Sequence, residues 1–336
     1  MHDTLTSARG SDTMRERVLS LSTNATPTRW GQIALGVAWC IDGLFKLQPY
    51  FFHHFADGVI DPNASGQPGV IGKPIAWVGE VVGPHQAIFV VLAALAEISI
   101  GIGLLVPRTV KPALALSFVW ALNVWWTGEG LGGLFTSNTP DPLSGILGTA
   151  PIYIFAGLLV WPRGVDDEGR QQSFGLLGER GARYAWAALW LGAAALWIFP
   201  SNAHSAALRA TLREAPAGAH WLSSLHSSAA SAVGGSGTTI ALVLAVASAE
   251  IGLAVLFRRG VRLALFSAMF LLLAFWVLGE GFGGAFTGQA TDVGTAPLMI
   301  LVAALLLPLE PRSATPALSH TIPHGLGIPQ HEMSPT

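Results

Sequence analysis

Two copies of one glycine-rich segment lie within the chain, and this internal duplication is the feature that most constrains its fold. Residues 128–136 read GEGLGGLFT and residues 279–287 read GEGFGGAFT, so the copies lie 151 residues apart. Further blocks match in the same order: AEI at 96–98 and 249–251, and GTAP at 148–151 and 294–297. A period of 20–50 residues would predict a solenoid. The much longer period here predicts two tandem domains that arose by duplication and fusion.

The composition predicts that lipid is the solvent for much of the chain. Of 336 residues, 51% are hydrophobic and only 11% are charged, whereas soluble domains carry about 25% charged residues. The net charge of −2 gives no basic surface for nucleic acid. Cys40 is the one cysteine, which excludes an internal disulfide, a Cys-ligated metal site and covalent haem attachment.

Eight apolar segments are candidates for membrane spans, because a spanning helix needs about 20 mostly apolar residues. The predicted spans are 30–49, 86–106, 111–127, 146–162, 183–200, 238–257, 261–279 and 294–308. We therefore predict an all-α integral membrane protein with eight transmembrane helices, arranged as two four-helix bundles. The predicted boundaries are a cytoplasmic N-terminal segment 1–29, a first unit 30–162, a linker 163–182, a second unit 183–308 and a disordered cytoplasmic tail 309–336.

Basic residues predict the orientation of these spans. Fourteen Lys and Arg residues fall on one side and three on the other, which places both termini in the cytoplasm by the positive-inside rule. Each half has an even number of spans, so the repeats are predicted to be parallel rather than inverted. The glycine-rich loops and the connectors 50–85 and 201–237 would then face outward.

Ionisable residues within the predicted spans are candidates for function, because they are costly in lipid. Glu97 lies near the middle of the second span, and Glu250 is predicted to be its equivalent in the sixth. Each is interpreted either as a proton carrier or ligand anchor, or as a structural carboxyl bonded to a neighbouring helix. Asp42 and Lys46 lie four residues apart on one helix face, where they either neutralise each other or serve a ligand.

Several polar residues of the first half are aligned with apolar residues in the second half. Leu196 and Pro200 are the aligned partners of Asp42 and Lys46, and Ala274 is the partner of Asn123. We predict that Asp42, Lys46, Asn123 and Glu97 converge on one cavity that opens outward, with the second half serving mainly as scaffold. The alternative is a satisfied polar network that fixes helix register. The residues predicted as catalytic are Glu97, Asp42 and Lys46, and those predicted to bind ligand are Asn123, Trp125, Trp126, Glu129 and Gln48.

The glycine-rich loops have their own interpretation. Glu129 and Glu280 are predicted to accept hydrogen bonds from the N–H groups of their own loops, and Asp141 and Asp292 are predicted to be equivalent structural residues. A metal site built on Glu129 and Asp141 with a histidine is a weaker alternative.

Histidines and tryptophans complete the candidates. The adjacent His53 and His54 lie beyond the first span as weak metal candidates, and none of the ten histidines is in mid-membrane, so haem is not expected. Trp125 and Trp126 approach the outer helix end, where an aromatic belt is expected. They could also flank a flat ring such as a quinone.

The four-span pattern of the first half has DGLFKLQP in the first span, AEI in the second and the GEGLGGLFT loop after the third. This pattern resembles the DoxX/DoxD-like bacterial membrane proteins. The chain looks like two such units fused in tandem, and the resemblance covers roughly residues 29–308. It implies a small helical bundle in the bacterial cytoplasmic membrane, and some relatives are linked to thiosulfate:quinone oxidoreductase or to other redox complexes. The second half departs from the pattern at Leu196 and Pro200.

Three functions are consistent with the sequence. The first is a quinone-linked redox component that receives electrons from another subunit or from direct oxidation of a substrate. The second is a non-catalytic accessory or assembly subunit, and the third is a transporter of a small solute. The lipid bilayer is the predicted environment in all three.

Overall fold

The computed structural model describes residues 27–136, 140–143, 145–164 and 174–309. The predicted tail, most of the predicted N-terminal segment and part of the predicted linker lie outside these residues. Within them the secondary structure is helical and no β-strand occurs. The prediction of an all-α protein is confirmed for the described part of the chain.

Twelve α-helices occur in the described residues. They are α1 Pro27–Lys46, α2 Phe51–Phe55, α3 Gly69–Val82, α4 Gln86–Leu105, α5 Val110–Thr127, α6 Ala150–Leu159, α7 Gly178–Trp197, α8 Ser205–Glu214, α9 His220–Val233, α10 Gly237–Leu256, α11 Val261–Leu278 and α12 Thr295–Leu306. Each of the eight predicted spans overlaps one helix. The connector 50–85 contains α2 and α3, and the connector 201–237 contains α8 and α9.

Three helical segments are long and apolar enough to cross a membrane: Gly69–Leu105, Gly237–Leu256 and Val261–Leu278. The first joins α3 to α4 through a 3-10 turn at Gly83–His85. Shorter apolar helices occur at Ala150–Leu159 and Thr295–Leu309. These lengths and compositions indicate a protein that is inserted in a membrane.

Glycine allows α1 and α4 to approach closely. A Cβ added at Gly36 would lie 2.9 Å from the carbonyl oxygen of Gly101, and one at Gly101 would lie 2.6 Å from that of Gly36. In the pairing of α7 with α10, Gly252 faces the carbonyl of Ala187. Gly252 and Ala187 each lie 151 positions after their first-half counterparts. The α1–α4 pair and the α7–α10 pair therefore pack in the same register. A residue of α1 or α4 has its counterpart 151 positions later, on α7 or α10.

Each glycine-rich loop is tied to the start of a later helix by its glutamate. The Glu129 carboxylate accepts hydrogen bonds from the N–H groups of Thr149 and Ala150, both at 3.0 Å. The Glu280 carboxylate likewise accepts from Ala296 N–H at 3.0 Å. The prediction that these glutamates bond within their own loops is wrong, because their donors lie at the first turns of α6 and α12. Such side-chain oxygen acceptors satisfy N–H groups that have no partner within the first turn of a helix.

Candidate functional site

One cavity of about 380 Å³ brings together the polar residues of the predicted spans. Its wall includes Asp42 and Lys46 on α1, Glu97 on α4 and Asn123 on α5, together with Glu129 in the loop after α5. The predicted convergence of the first four residues on one cavity is confirmed. Their roles in catalysis and ligand binding stay predictions.

A buried ion pair forms part of the polar wall of this cavity, named here the polar end. The Lys46 ammonium lies 2.9 Å from Oε1 of Glu97, and the two side chains are only 8% and 1% exposed. Lys46 also donates to the carbonyl oxygen of Thr291 at 2.9 Å. The direct ion-pair partner of Lys46 therefore lies on α4, and Asp42, one turn away on α1, does not pair with it directly.

Asp42 has a separate set of partners. It accepts hydrogen bonds from the hydroxyl of Tyr153 on α6 and from Val293 N–H, the latter at 3.0 Å. The Tyr153 ring packs on Trp39, with ring centroids 4.1 Å apart. Both carboxylate oxygens of Asp42 are thus used within the protein.

Glu97 keeps one carboxylate oxygen unused. Its Oε1 receives the Lys46 ammonium and the indole N–H of Trp120, the latter at 3.0 Å. Its Oε2 is buried and has no hydrogen-bond partner among the described residues. Buried polar atoms nearly always have a hydrogen-bond partner. The Oε2 atom is therefore available to accept a hydrogen bond from a ligand in the cavity, or to bind a proton.

The second half contributes directly to this site. Thr291 and Asp292, in the loop before α12, line the cavity. Asp292 accepts from the Thr149 hydroxyl at 3.1 Å and from Gly294 N–H at 2.9 Å. The second half therefore does more than support the first, because its loop forms part of the wall of the first-half cavity.

Asp141 and Asp292 occupy unrelated environments, so their predicted equivalence is wrong. Asp141 accepts from Leu143 N–H at 2.8 Å and from the hydroxyl of Thr211. The two aspartates were matched wrongly because they lie at different distances from the GTAP blocks. Asp141 lies seven residues before the GTAP block at 148, whereas Asp292 lies two residues before the block at 294.

Three predicted ligand-binding residues are not part of the cavity wall. Trp125 donates its indole N–H to the carbonyl oxygen of Leu147 at 2.7 Å, and Trp126 is exposed. Gln48 donates to the carbonyl oxygen of Ala290 at 3.2 Å. The aromatic residues that do line the cavity are Trp39, Phe55, Phe89, Trp120 and Tyr153. Tyr153 was not among the predicted site residues, although a hydroxyl within an apolar segment indicates a candidate.

Two of the residues that line the cavity are exposed at the surface of the described chain. Leu92 on α4 is 55% exposed, and Asn123 on α5 is also exposed. The surface region around these two residues is named the lateral opening. α4 belongs to a segment that is long and apolar enough to cross a membrane. Leu95, three positions after Leu92 on the same helix, is 54% exposed. The lateral opening therefore lies on a surface suited to contact with lipid.

The corresponding space in the second half is nearly filled and holds no charge comparable to the Lys46–Glu97 pair. It is a cavity of about 60 Å³ that includes Trp190, Ala193 and Glu280 in its wall. The counterparts of the first-half polar residues are Ala193 for Asp42, Trp197 for Lys46, Ser248 for Glu97 and Met299 for Tyr153. The predicted partners Leu196 and Pro200 are therefore wrong, because each lies three positions beyond the structural counterpart of Asp42 or Lys46. The prediction that neither charge has a charged counterpart in the second half still holds.

The predicted equivalence of Glu97 and Glu250 is also wrong. Ser248 holds the buried position on α10, with an exposed fraction of 0%, whereas Glu250 is exposed. The AEI blocks match in sequence but are offset by two residues from the structural register.

The described residues contain no group of three or more His, Cys, Asp and Glu side chains that could hold a metal ion. His54 instead bonds the carboxylate of Asp57 at 3.0 Å. This bond lowers the pKa of the exposed Asp57. No family model, curated protein or solved structure matches this chain.

Proposed function

We propose that this chain is a quinone-linked redox component of the bacterial cytoplasmic membrane, with its ligand site in the first-half cavity. The proposed architecture has eight spans in two parallel four-helix units and both termini in the cytoplasm. The resemblance of the first unit to DoxX/DoxD-like proteins supports this class.

The observation that carries the proposal is a cavity that opens laterally and ends at an ion pair. A ligand arriving through the lateral opening would pass Leu92 and Asn123 and meet Lys46 and Glu97 at the polar end. A cavity of about 150 Å³ is known to hold benzene, so about 380 Å³ has room for a substituted planar ring. The aromatic wall formed by Trp39, Phe89 and Trp120 suits such a ring.

The polar groups match the chemistry of a quinone and its quinol. The Lys46 ammonium donates to a ring carbonyl oxygen, and the unused Oε2 of Glu97 accepts a hydrogen bond from a quinol hydroxyl. Reduction of a quinone takes two electrons and two protons. Glu97 is the group placed to pass protons, and a partner redox subunit supplies the electrons.

A second candidate function, an accessory or assembly subunit, is favoured by one observation. Asp42 and Lys46 both bond the loop before α12, through Val293 N–H and the Thr291 carbonyl oxygen. In that case the polar cluster serves to hold the two halves together and the cavity needs no ligand.

Extraction of the purified protein distinguishes the two functions. After purification in mild detergent, organic extraction and chromatography are expected to give close to one quinone per chain. Glu97→Gln removes the carboxylate that would accept from the quinol and is expected to lower this occupancy at least fivefold. Glu214→Gln, the same change at an exposed residue outside the cavity, is the matched control. Protein that is folded, free of quinone and unable to take up added quinone would overturn the redox proposal and favour the accessory role.

A further inference from the structure

Three arginines line a second cavity, between the start of α7 and the end of α10. This cavity, named the arginine cavity, measures about 550 Å³, and its wall includes Arg180 and Arg183 on α7 and Arg258 just after α10. Glu179 is the one acidic residue among those described in its wall. Three arginines and one glutamate leave an excess of positive charge, and a guanidinium group keeps its charge throughout the pH range of proteins. The arginine cavity therefore attracts an anion at any working pH.

Two of the three guanidinium groups are fixed by contacts within the protein. Arg183 donates hydrogen bonds to the carbonyl oxygens of Val255 and Leu256 at the end of α10. The Arg258 guanidinium lies 2.7 Å from Oε1 of Glu179. These contacts hold both groups at the cavity wall before any ligand arrives, so less side-chain freedom is lost on binding.

Arg180 has no partner in the described fold, and comparison of the two halves explains why. Its counterpart, Arg29, donates hydrogen bonds to the carbonyl oxygens of Leu104 and Leu105 at the end of α4. In the second half, the carbonyl oxygens at the same register positions of α10 accept from Arg183 instead. Arg180 is exposed, and no hydrogen bond or ion pair joins it to another described residue. Its guanidinium group is therefore available to an anion in the arginine cavity.

The arginine cavity lies where a membrane-crossing helix ends. α10 is long and apolar enough to span a membrane, and its last residue is Leu256. Phe257, beside Arg258 in the chain, is 65% exposed, and Tyr184, beside Arg183, is 62% exposed. Tyrosine is enriched at the headgroup level of membranes. The arginines are therefore placed next to an apolar surface that suits the acyl chains of a lipid.

We propose that the arginine cavity binds the phosphate group of an anionic phospholipid. The planar fork of an arginine matches two oxygens of a phosphate at once. Basic pockets between membrane helices on the cytoplasmic side hold anionic headgroups, and the topology proposed above places this cavity in the cytoplasmic leaflet. The first half lacks the cluster, because Gln32 and Pro107 hold the positions of Arg183 and Arg258.

Native mass spectrometry of the full chain in mild detergent tests this site. Titration with phosphatidylglycerol is expected to show a single retained lipid, with a Kd about tenfold lower than that of phosphatidylcholine, whose headgroup has no net charge. Arg180→Gln removes a guanidinium that makes no contact within the described fold. It should raise the Kd for phosphatidylglycerol about fivefold, the contribution of one basic residue near an anionic lipid surface. Arg108→Gln, at an exposed arginine just after α4, is the matched control and should leave this Kd unchanged.

Each result decides for or against the proposal. Equal Kd values for the two lipids, or equal losses in Arg180→Gln and Arg108→Gln, would overturn it. A second titration adds inorganic phosphate to the lipid-bound protein. Displacement of the lipid by millimolar phosphate would assign the cavity to a soluble phosphate compound and would overturn the lipid assignment. None of these results depends on whether the first-half cavity binds a quinone, because Arg180 is not part of its wall.

Discussion

At the scale of the residue, Lys46 joins three parts of the molecule through one ammonium group. The group sits on α1, pairs with Glu97 on α4 and donates to the carbonyl oxygen of Thr291 before α12. Because both partners of the ion pair are buried, each charge depends on the other for its compensation. The sequence offered Asp42 as the local partner of Lys46. The actual pairing joins residues 51 positions apart and depends on the register of α1 against α4, which one sequence does not reveal.

Removing one member of this pair is expected to cost more than removing both. Lys46→Met leaves Glu97 charged and buried, so we expect the free energy of unfolding to fall by about 3–5 kcal/mol. The double variant Lys46→Met with Glu97→Leu should regain much of that loss, since apolar replacement of a whole buried pair is often nearly neutral. Denaturant unfolding in detergent measures both, with Lys73→Met at an exposed position as the control. Strictly additive losses in the double variant would show that the two groups are not coupled.

At the scale of the element, helices were predictable where apolar runs are long and were missed where they are short. The predicted span 86–106 differs from α4 by one residue at its end. α3 was missed because its 14 residues are shorter than a span and include Pro74, which suggests a connector. The bonds of Glu129 to the start of α6 were also not predictable, since they close a loop of about 20 residues whose path depends on glycines. Gly148, with a φ of +85°, passes so close to the Glu129 carboxylate that an added Cβ would collide with it.

Stability is expected to fall with rising pH because of the two loop glutamates. Burial raises the pKa of Glu129 and of Glu280 from 4.5 to about 8 in each case. Below pH 4.5 both carboxyls are protonated in the folded and the unfolded chain. Between pH 4.5 and 8 the unfolded chain loses these protons while the folded chain keeps them, so each group should destabilise the fold by about 1.4 kcal/mol per pH unit. Melting temperatures across pH 5–9 measure this decline.

Matched variants assign the pH dependence to its source. Glu129→Gln cannot titrate, so its melting temperature should fall less steeply over the same range, and Glu280→Gln should behave alike. Glu80→Gln, at an exposed position on α3, should leave the slope of the parent protein unchanged. A parent protein whose stability rises between pH 5 and 8 would contradict the assignment.

At the scale of the whole molecule, the two halves share a helix register but differ in what they enclose. The first half surrounds about 380 Å³ and the second about 60 Å³. The sequence predicted this asymmetry from the loss of charge in the second half, and in that respect the candidate site was foreseeable. The participation of Thr291 and Asp292 was not, because the Lys46–Thr291 bond joins positions 245 residues apart and depends on how the halves dock.

The position of the lateral opening gives a prediction about how a ligand reaches the cavity. Leu92→Trp places an indole at the opening, whereas Leu95→Trp places the same group one turn along the exposed face of α4, outside the cavity wall. Both side chains are exposed to a similar extent, so neither change should alter folding by more than about 0.5 kcal/mol. If the ligand comes from the bilayer, Leu92→Trp should slow quinone uptake from liposomes at least fivefold while Leu95→Trp has no effect. Equal uptake by both variants would exclude the lateral opening as the route, and a solute that reaches the site from water would then become the better interpretation of the cavity.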